Sequence, residues 1–148
     1  MYRKFLIAID GSELAGKAID QGLKLAKETS ASVVFCTVTE MWSPAEMANE
    51  AVAGLSNPVE AYEQMAKEAA QKILDGASKA AKAAGVNSES VHVSDKAVAE
   101  GIVETTDAKG CDLVVMATHG RRGIGRLLLG SETTEVLHYS KVPVLVVR

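Results

Sequence analysis

Short apolar runs alternate strictly with helical segments along the chain, and this alternation limits the fold more than any other feature. The runs predict strands at 5–9, 33–38, 90–93, 113–117 and 144–147. The segments between them repeat small and aliphatic residues at helical spacing and predict helices at 13–29, 59–84, 97–109 and 131–140. Because parallel strands buried on both faces read as continuous apolar runs, we expect a three-layer α/β/α sandwich around a five-stranded parallel sheet.

Length and composition fit one domain covering residues 1–148. The net charge of −3 argues against a general nucleic-acid or membrane-surface binder. No apolar run approaches the roughly 20 residues that span a bilayer, and the N-terminus lacks the apolar core of a signal peptide. Cys36 and Cys111 show neither a Cys-x-x-Cys nor a metal-binding spacing, so we expect core residues in a reduced, cytoplasmic protein.

The segment 114–131 combines a strand, a loop rich in glycine and arginine, and a Gly-Ser step into a helix. Such joints bind anions, because backbone N–H groups converge there and the helix dipole adds partial positive charge. If the strand order is 3-2-1-4-5, Asp10 at the end of the first strand faces this loop across the point where the order reverses. We therefore predict a phosphate site here, with the leucines at 127–129 as a buried anchor and Ser131 as the helix N-cap. In the helix that follows, we expect Val136 and Leu137 to point inward.

The two common phosphate motifs are both absent. Gly125 and Gly130 have the glycine spacing of a P-loop, but no lysine precedes Ser131. The dinucleotide pattern Gly-x-Gly-x-x-Gly does not occur, because Gly120, Gly123 and Gly125 run in the opposite order. Gly120 and Gly130 are instead expected to allow close backbone approach and unusual φ angles.

Several motifs together resemble the universal stress protein family, and the resemblance covers the whole chain. They are Ile9-Asp10-Gly11-Ser12 after the first strand, a second strand ending at Val38, and the closing run Lys141-Val142-Pro143-Val144-Leu145-Val146-Val147. Gly120, nine further residues and Gly130-Ser131 match the pattern Gly-x2-Gly-x9-Gly-Ser/Thr of the nucleotide-binding members. The first glycine of that pattern is Ala117 here, and its methyl group is expected to narrow the approach of a phosphate.

The resemblance implies an ATP-binding type with a fold like that of the adenine nucleotide alpha hydrolases. It implies a homodimer through the last strand, residues 142–147, and ATP (or AMP or ADP) as ligand, with Mg²⁺ or Mn²⁺ bridging the phosphates. Asp10 would contact the ribose or the base, and the backbone of Val38 would read the adenine edge. The phosphates would lie among Ala117, His119, Gly120, Arg121, Gly130, Ser131 and Glu132, with the backbone of His119 nearer the ligand than its ring and the Glu132 carboxylate turned away.

No nucleophile, base and orienting residue stand together in the sequence, so a regulatory nucleotide-binding module of the stress response is favoured over an enzyme. Three alternatives stay open. They are a slow ATPase, an adaptor that regulates a partner protein without nucleotide, and an adenylating or sulfur-transferring enzyme of similar topology. Asp10 could also serve only as an acid at a helix start, and the arginines at 121, 122 and 126 only as solvated charges. Residues 39–58, with a short helix across 45–52, are predicted to form a flap or a subunit contact.

Overall fold

The structure is a computed structural model and describes residues 1–41, 58–120 and 128–148. These residues form a parallel sheet of five strands in the order 3-2-1-4-5, as predicted. The strands are β1 (Lys4–Ala8), β2 (Ser32–Thr39), β3 (Ser88–Ser94), β4 (Leu113–Ala117) and β5 (Val144–Val147). The helices are α1 (Glu13–Thr29), α2 (Pro58–Ala84), α3 (Val98–Lys109) and α4 (Ser131–Tyr139), so each prediction lies within two residues of its element.

Helices cover both faces of the sheet and complete the three-layer sandwich. On one face α1 and α2 pack against odd-numbered strand residues, including Phe5, Ile7 and Phe35. On the other face α3 and α4 pack against even-numbered ones, including Leu6 and Val34. Because successive side chains of a strand point to opposite faces, this division explains why the central strands are apolar at every position.

The ends of the helices follow local sequence signals. The Ser12 hydroxyl accepts the Ala15 N–H at 3.1 Å and caps the start of α1. Gly110, with φ of 63°, ends α3 in the left-handed conformation that glycine adopts without strain. These caps fix where the chain leaves the sheet, and hence where the loops at the strand ends lie.

Two predictions around the start of α4 were wrong. Leu128 and Leu129 are 78% and 42% exposed, so neither is a buried anchor; Leu127 lies outside the described residues. Gly130 is the N-cap and Ser131 the first helical residue, because the chain turns one residue earlier than the serine suggested.

The packing side of α4 also differs from the one expected. Leu137, predicted to point inward, is 42% exposed, because the inward side of α4 is set by Thr133 and Val136, three positions apart. Along α2 the buried positions are Ala70, Leu74, Ala77 and Ala81. The predicted helix at 45–52 and most of the segment 39–58 lie outside the described residues. Among the helices that the structure does describe, none has both the length and the hydropathy needed to cross a membrane.

Candidate functional site

The carboxyl ends of β2, β1 and β4 lie side by side at the point where the strand order reverses. The helix after β1 packs on one face of the sheet and α4 packs on the other, which opens a crevice between the strand ends. A cleft of about 410 Å³ lies here. Asp10, Val38 and Glu132, three of the predicted site residues, line it together.

Asp10 is held by the start of α1 and faces the crevice as well. Its Oδ1 accepts the Ser12 N–H at 2.9 Å. Its Oδ2 lies 3.1 Å from the position that a Cβ on Gly120 would occupy. Asp10 therefore does bond the backbone at the start of α1, as the alternative interpretation expected. The same hydrogen bond orients the second carboxylate oxygen of Asp10 toward the β4 loop.

Val38 turns its backbone and its side chain to different neighbours. Its side chain packs on α3, where an added Cβ on Gly101 would lie 2.8 Å from Val38 Cγ2. Two residues earlier in β2, the Cys36 carbonyl accepts the Ile9 N–H at 2.9 Å. The backbone polar groups of Cys36 therefore face β1. Since alternate residues of a strand direct these groups to the same edge, the N–H and C=O of Val38 point past the end of β1, into the crevice.

The orientation of the Glu132 side chain differs from the prediction. Its carboxylate was expected to turn away from the site, but it faces the crevice. Its Oε2 lies 3.0 Å from the position of a Cβ on Gly120, next to the Asp10 oxygen. Glu132 also lines a second cleft of about 40 Å³ between the ends of β1 and β4. The reason is the helix phase: with Gly130 as N-cap, the second residue of α4 projects toward the strand ends rather than away from them.

The smaller cleft contains three further predicted residues: Ala117, His119 and Gly120. Its volume is that of a few water molecules at most, and Ala117 forms part of its wall. The His119 ring turns toward its neighbour, with Nδ1 3.1 Å from Thr118 Oγ1. Arg121 lies outside the described residues, as do Arg122 and Arg126.

Gly130 and Ser131 start α4 close to the end of β4. The Gly130 N–H donates to the Thr118 carbonyl at 2.8 Å, and a Cβ on Gly130 would lie 3.2 Å from that oxygen. Neither Gly120 nor Gly130 has a left-handed φ, so the expected unusual angles are absent and the requirement at both positions is space. Ser131 is exposed at the start of the helix, where the first-turn N–H groups point along the axis.

The sequence did not single out Thr133 or the wall formed by α2. The buried Thr133 hydroxyl contacts the carbonyl oxygens of Ala117 and Thr118 at 3.0 and 3.1 Å and ties α4 to β4. Its three-residue spacing from Val136 was the available signal. The α2 wall of the larger cleft consists of Tyr62, Met65, Ala66, Ala69, Ala70 and Ile73. Its position depends on how α2 crosses the sheet, which spacing alone does not reveal.

The described walls of the larger cleft are acidic. Asp10, Glu40 and Glu132 line it, and no lysine or arginine does so within the described residues. At its edge, Thr39 Oγ1 lies 2.8 Å from His92 Nε2, and partial burial together with Lys67 lowers the pKa of His92. Over the same ranges no group of three His, Cys, Asp or Glu side chains is arranged so that it could hold a metal ion.

Comparisons with known proteins agree with this architecture. The sequence profile described as the Universal stress protein family matches residues 1–148. Universal stress protein YxiE of Bacillus subtilis is 30% identical over 152 residues, covering 100% of both chains. The solved structure of MJ0577, from Methanocaldococcus jannaschii, superposes with a TM-score of 0.80 at 26% identity, covering 99% of this chain and 96% of that one.

A second similar structure was solved with a bound ligand. It is a universal stress protein in complex with cAMP, with a TM-score of 0.67 and 27% identity, covering 99% of this chain and 97% of that one. The match of the family profile spans every residue of the chain, and the sheet order and helix layers agree with the solved relatives. The chain therefore belongs to the Universal stress protein family.

Proposed function

We propose that this protein is a regulatory module of the stress response that binds an adenine nucleotide and acts as a homodimer. The observation that carries the proposal is the row formed by the Val38 backbone, Asp10 and Gly120 at the ends of neighbouring strands. Two strand spacings separate the ends of this row by roughly 10 Å, which suits the base, sugar and first phosphate of one nucleotide. The similar protein that was solved in complex with cAMP supports the same class of ligand.

Each group in the row has a chemical role in this proposal. The N–H and C=O of Val38 pair with the adenine edge, and Asp10 accepts a hydrogen bond from the ribose. The phosphates extend past Gly120 to the start of α4, where the N–H groups of Ser131 and Glu132 and the helix dipole attract anions. Ala117, His119, Gly130 and Arg121 complete the proposed phosphate side.

ATP is the proposed ligand, with AMP or ADP as the shorter members of the same class. A bare triphosphate carries several negative charges, and a divalent cation that bridges the phosphates neutralises part of this charge. We therefore propose that ATP binds with Mg²⁺ or Mn²⁺, which would neutralise phosphate charge and take most of its remaining ligands from water. AMP carries less charge and needs the metal less.

Isothermal titration calorimetry with ATP and AMP, with and without Mg²⁺, tests the proposal. Gly120→Ala puts a methyl group against the Asp10 and Glu132 oxygens, and we expect it to weaken binding by about tenfold, the value of one charged hydrogen bond. Gly76→Ala is the matched control, because a Cβ there meets nothing within 4 Å.

Absence of binding and of a thermal shift at millimolar nucleotide would contradict the proposal and favour the adaptor that regulates a partner protein. A slow ATPase is the third outcome: ADP would accumulate during incubation of ATP with the protein. The Gly120→Ala variant distinguishes the slow ATPase from the adaptor. We expect it to lower ATP turnover if the protein is an ATPase, and to leave the binding of a partner protein unchanged if the protein is an adaptor.

The homodimer forms, in this proposal, through residues 142–147. β5 is an edge strand that pairs with β4 on one side, and Leu145 is 38% exposed. An edge strand with apolar side chains is a template for pairing with a second chain. The free, buried thiols of Cys36 and Cys111 support a reduced, cytoplasmic setting for the dimer.

A further inference from the structure

A further cavity lies in the groove between α1 and α2, beside the larger cleft. Its volume is about 380 Å³, close to the 410 Å³ of that cleft and within the range of ligand pockets, about 300–1,000 Å³. Among the described residues, Ile73 alone lines both cavities, so the groove is a separate site. We call it the α1/α2 groove; its walls include Ala15, Gly16 and Ile19 of α1 and Lys72, Ile73 and Gly76 of α2.

We propose that the α1/α2 groove binds a medium-chain fatty carboxylate of the length of octanoate. The hydrocarbon chain lies between the two helices, and the carboxylate lies next to the Lys72 ammonium at the solvent edge. The inference goes beyond the nucleotide binding proposed above and does not depend on it, because the groove has its own walls and its own charge.

The walls of the groove are apolar and leave room for a chain. Ile19 and Ile73 pack against the core of this face but remain only partly buried. Gly16 and Gly76 line the groove from α1 and α2, and a Cβ on either glycine would meet nothing within 4 Å. A hydrocarbon chain between the helices would therefore cover apolar surface that is now in water, which favours its binding.

The length of the groove along α1 indicates the length of the chain. The lining residues run from Ser12 to Ile19, a rise of about 10 Å at about 1.5 Å per residue, which is roughly the length of an extended chain of eight carbons. Ala15 and Gly16 lie between these two residues and keep the surface of the helix low. These dimensions favour octanoate over the longer chains of membrane lipids.

Lys72 gives the groove its charge. Among the described residues that line the groove it is the only charged one, and it forms no ion pair within the described part of the chain. A lysine lays its methylene stem along apolar surface and keeps its ammonium in water. An apolar ligand with an anionic head matches this arrangement, whereas a cationic head would meet like charge.

Isothermal titration calorimetry of the full chain with octanoate tests the inference. We expect a Kd of about 0.1–1 mM, the range that a ligand of about ten non-hydrogen atoms reaches. Acetate lacks the chain and should not bind. Octylammonium reverses the charge and should bind about threefold more weakly or less tightly still. Saturating AMP should leave the affinity for octanoate unchanged, because the two ligands occupy different cavities.

Two substitutions test the place of the chain and of the head. Gly16→Leu puts a side chain into the groove and should weaken octanoate binding about tenfold or more, the effect of displacing two methylene groups. Ala83→Leu is its control, because Ala83 is an exposed residue of α2 that does not line the groove. Lys72→Met keeps an apolar stem and should weaken binding about two- to fivefold, the value of an exposed ion pair. Lys79→Met, at another exposed position of α2, should have no effect.

Each outcome supports or overturns a stated part of the inference. No binding of octanoate at millimolar concentration would overturn it entirely. Displacement of octanoate by AMP, or full affinity in both Gly16→Leu and Gly76→Leu, would show that octanoate binds elsewhere. Full affinity in Lys72→Met would overturn the role of the ammonium. If Gly16→Leu fails to fold, as circular dichroism would show, Gly76→Leu decides. Binding of octanoate without binding of AMP would uphold this inference and contradict the proposed nucleotide function.

Discussion

Cys36 and Cys111 are side chains whose chemistry is set by their burial. They are 1% and 6% exposed, and removal from water raises the pKa of each thiol to about 11. Only the thiolate is the nucleophile, and at pH 8 a thiol with that pKa is ionised in about one molecule in a thousand. We expect iodoacetamide to leave both cysteines unmodified in the native protein at pH 8, and to modify both in urea, as mass spectrometry would show.

The raised pKa of these thiols also gives a pH dependence of stability. In the unfolded chain a cysteine ionises near pH 8.5, whereas in the folded protein it stays protonated. The unfolded state therefore binds fewer protons between about pH 8.5 and 11, and the free energy of unfolding falls as the pH rises through that window. The measurement is urea unfolding at pH 8 and 10. A smaller fall in Cys36→Ala would assign the effect to the thiol, and an identical fall would contradict it.

Some site residues follow from the sequence, and others depend on geometry that it does not contain. Asp10 and Val38 were identifiable because apolar runs mark where β1 and β2 end. The direction of the Glu132 carboxylate was not, since it depends on Gly130, rather than Ser131, being the N-cap of α4. One residue of difference in a helix start rotates each side chain by about 100°, enough to exchange inward and outward positions.

At the scale of elements, the side chain of Thr133 joins α4 to the end of β4 by hydrogen bonding. Its buried hydroxyl contacts the Ala117 and Thr118 carbonyl oxygens at the end of the strand. Thr133→Val keeps the shape and leaves these carbonyl oxygens without the hydroxyl, so we expect a loss of about 1–2 kcal/mol in the free energy of unfolding. Thr134→Val is the control, because the Thr134 hydroxyl bonds the Gly130 carbonyl at the exposed surface. The free energies of unfolding are measured by urea unfolding. Equal losses in the two variants would contradict the role of the Thr133 hydroxyl in holding α4 to β4.

The approach of α1 to the sheet depends on Gly22. A Cβ on this residue would lie 2.5 Å from Cδ1 of Ile7, a residue with no exposed surface. We expect Gly22→Ala to destabilise the protein by about 1–3 kcal/mol through overpacking. Gly76→Ala in α2 meets nothing within 4 Å and should stabilise by up to about 1 kcal/mol, the helix propensity of alanine over glycine. Thermal melting compares the two variants. Shifts of the melting temperature in the same direction would contradict the expected overpacking against Ile7.

The elements themselves were predictable because each has a strong period or a clear end signal. The α1 helix matched its prediction at both ends, where Ser12 caps the start. The failures fall where the period is short or absent: Leu128 and Leu129 are apolar residues in a loop, and apolarity alone does not bury a residue. The nine residues of α4 give too few turns for spacing to identify its inward side, which is why Leu137 was assigned wrongly.

At the scale of the whole molecule, the strand order creates the site. Because β1 and β4 are neighbours whose following helices pack on opposite faces, their loops diverge and leave the crevice. The order was predictable because a run of strand–helix–strand units with right-handed crossovers permits few topologies. The grouping of Asp10, Glu40 and Glu132 along the described walls of the cleft was not predictable, because these residues are distant in sequence and line one cleft only in the folded chain.

The same strand order leaves β5 at one edge of the sheet and β3 at the other. β5 has the apolar edge: Leu145 is 38% exposed, and α4, which contacts β5, exposes Leu137 and Tyr139 to 42% and 63%. Two chains that pair through β5 would cover these side chains and extend both sheets. By contrast β3 carries the exposed serines Ser88, Ser90 and Ser94.

Val146→Lys tests this edge, because it adds a charge to the centre of the proposed interface. We expect the unmodified protein to elute as a dimer and the variant as a monomer in size-exclusion chromatography with light scattering. An unpaired lysine at a dry interface costs several kcal/mol, more than enough to dissociate a micromolar dimer. Ser90→Lys makes the same change on the opposite edge and should remain dimeric. A dimeric Val146→Lys protein, or a monomeric Ser90→Lys protein, would show that the two chains meet elsewhere.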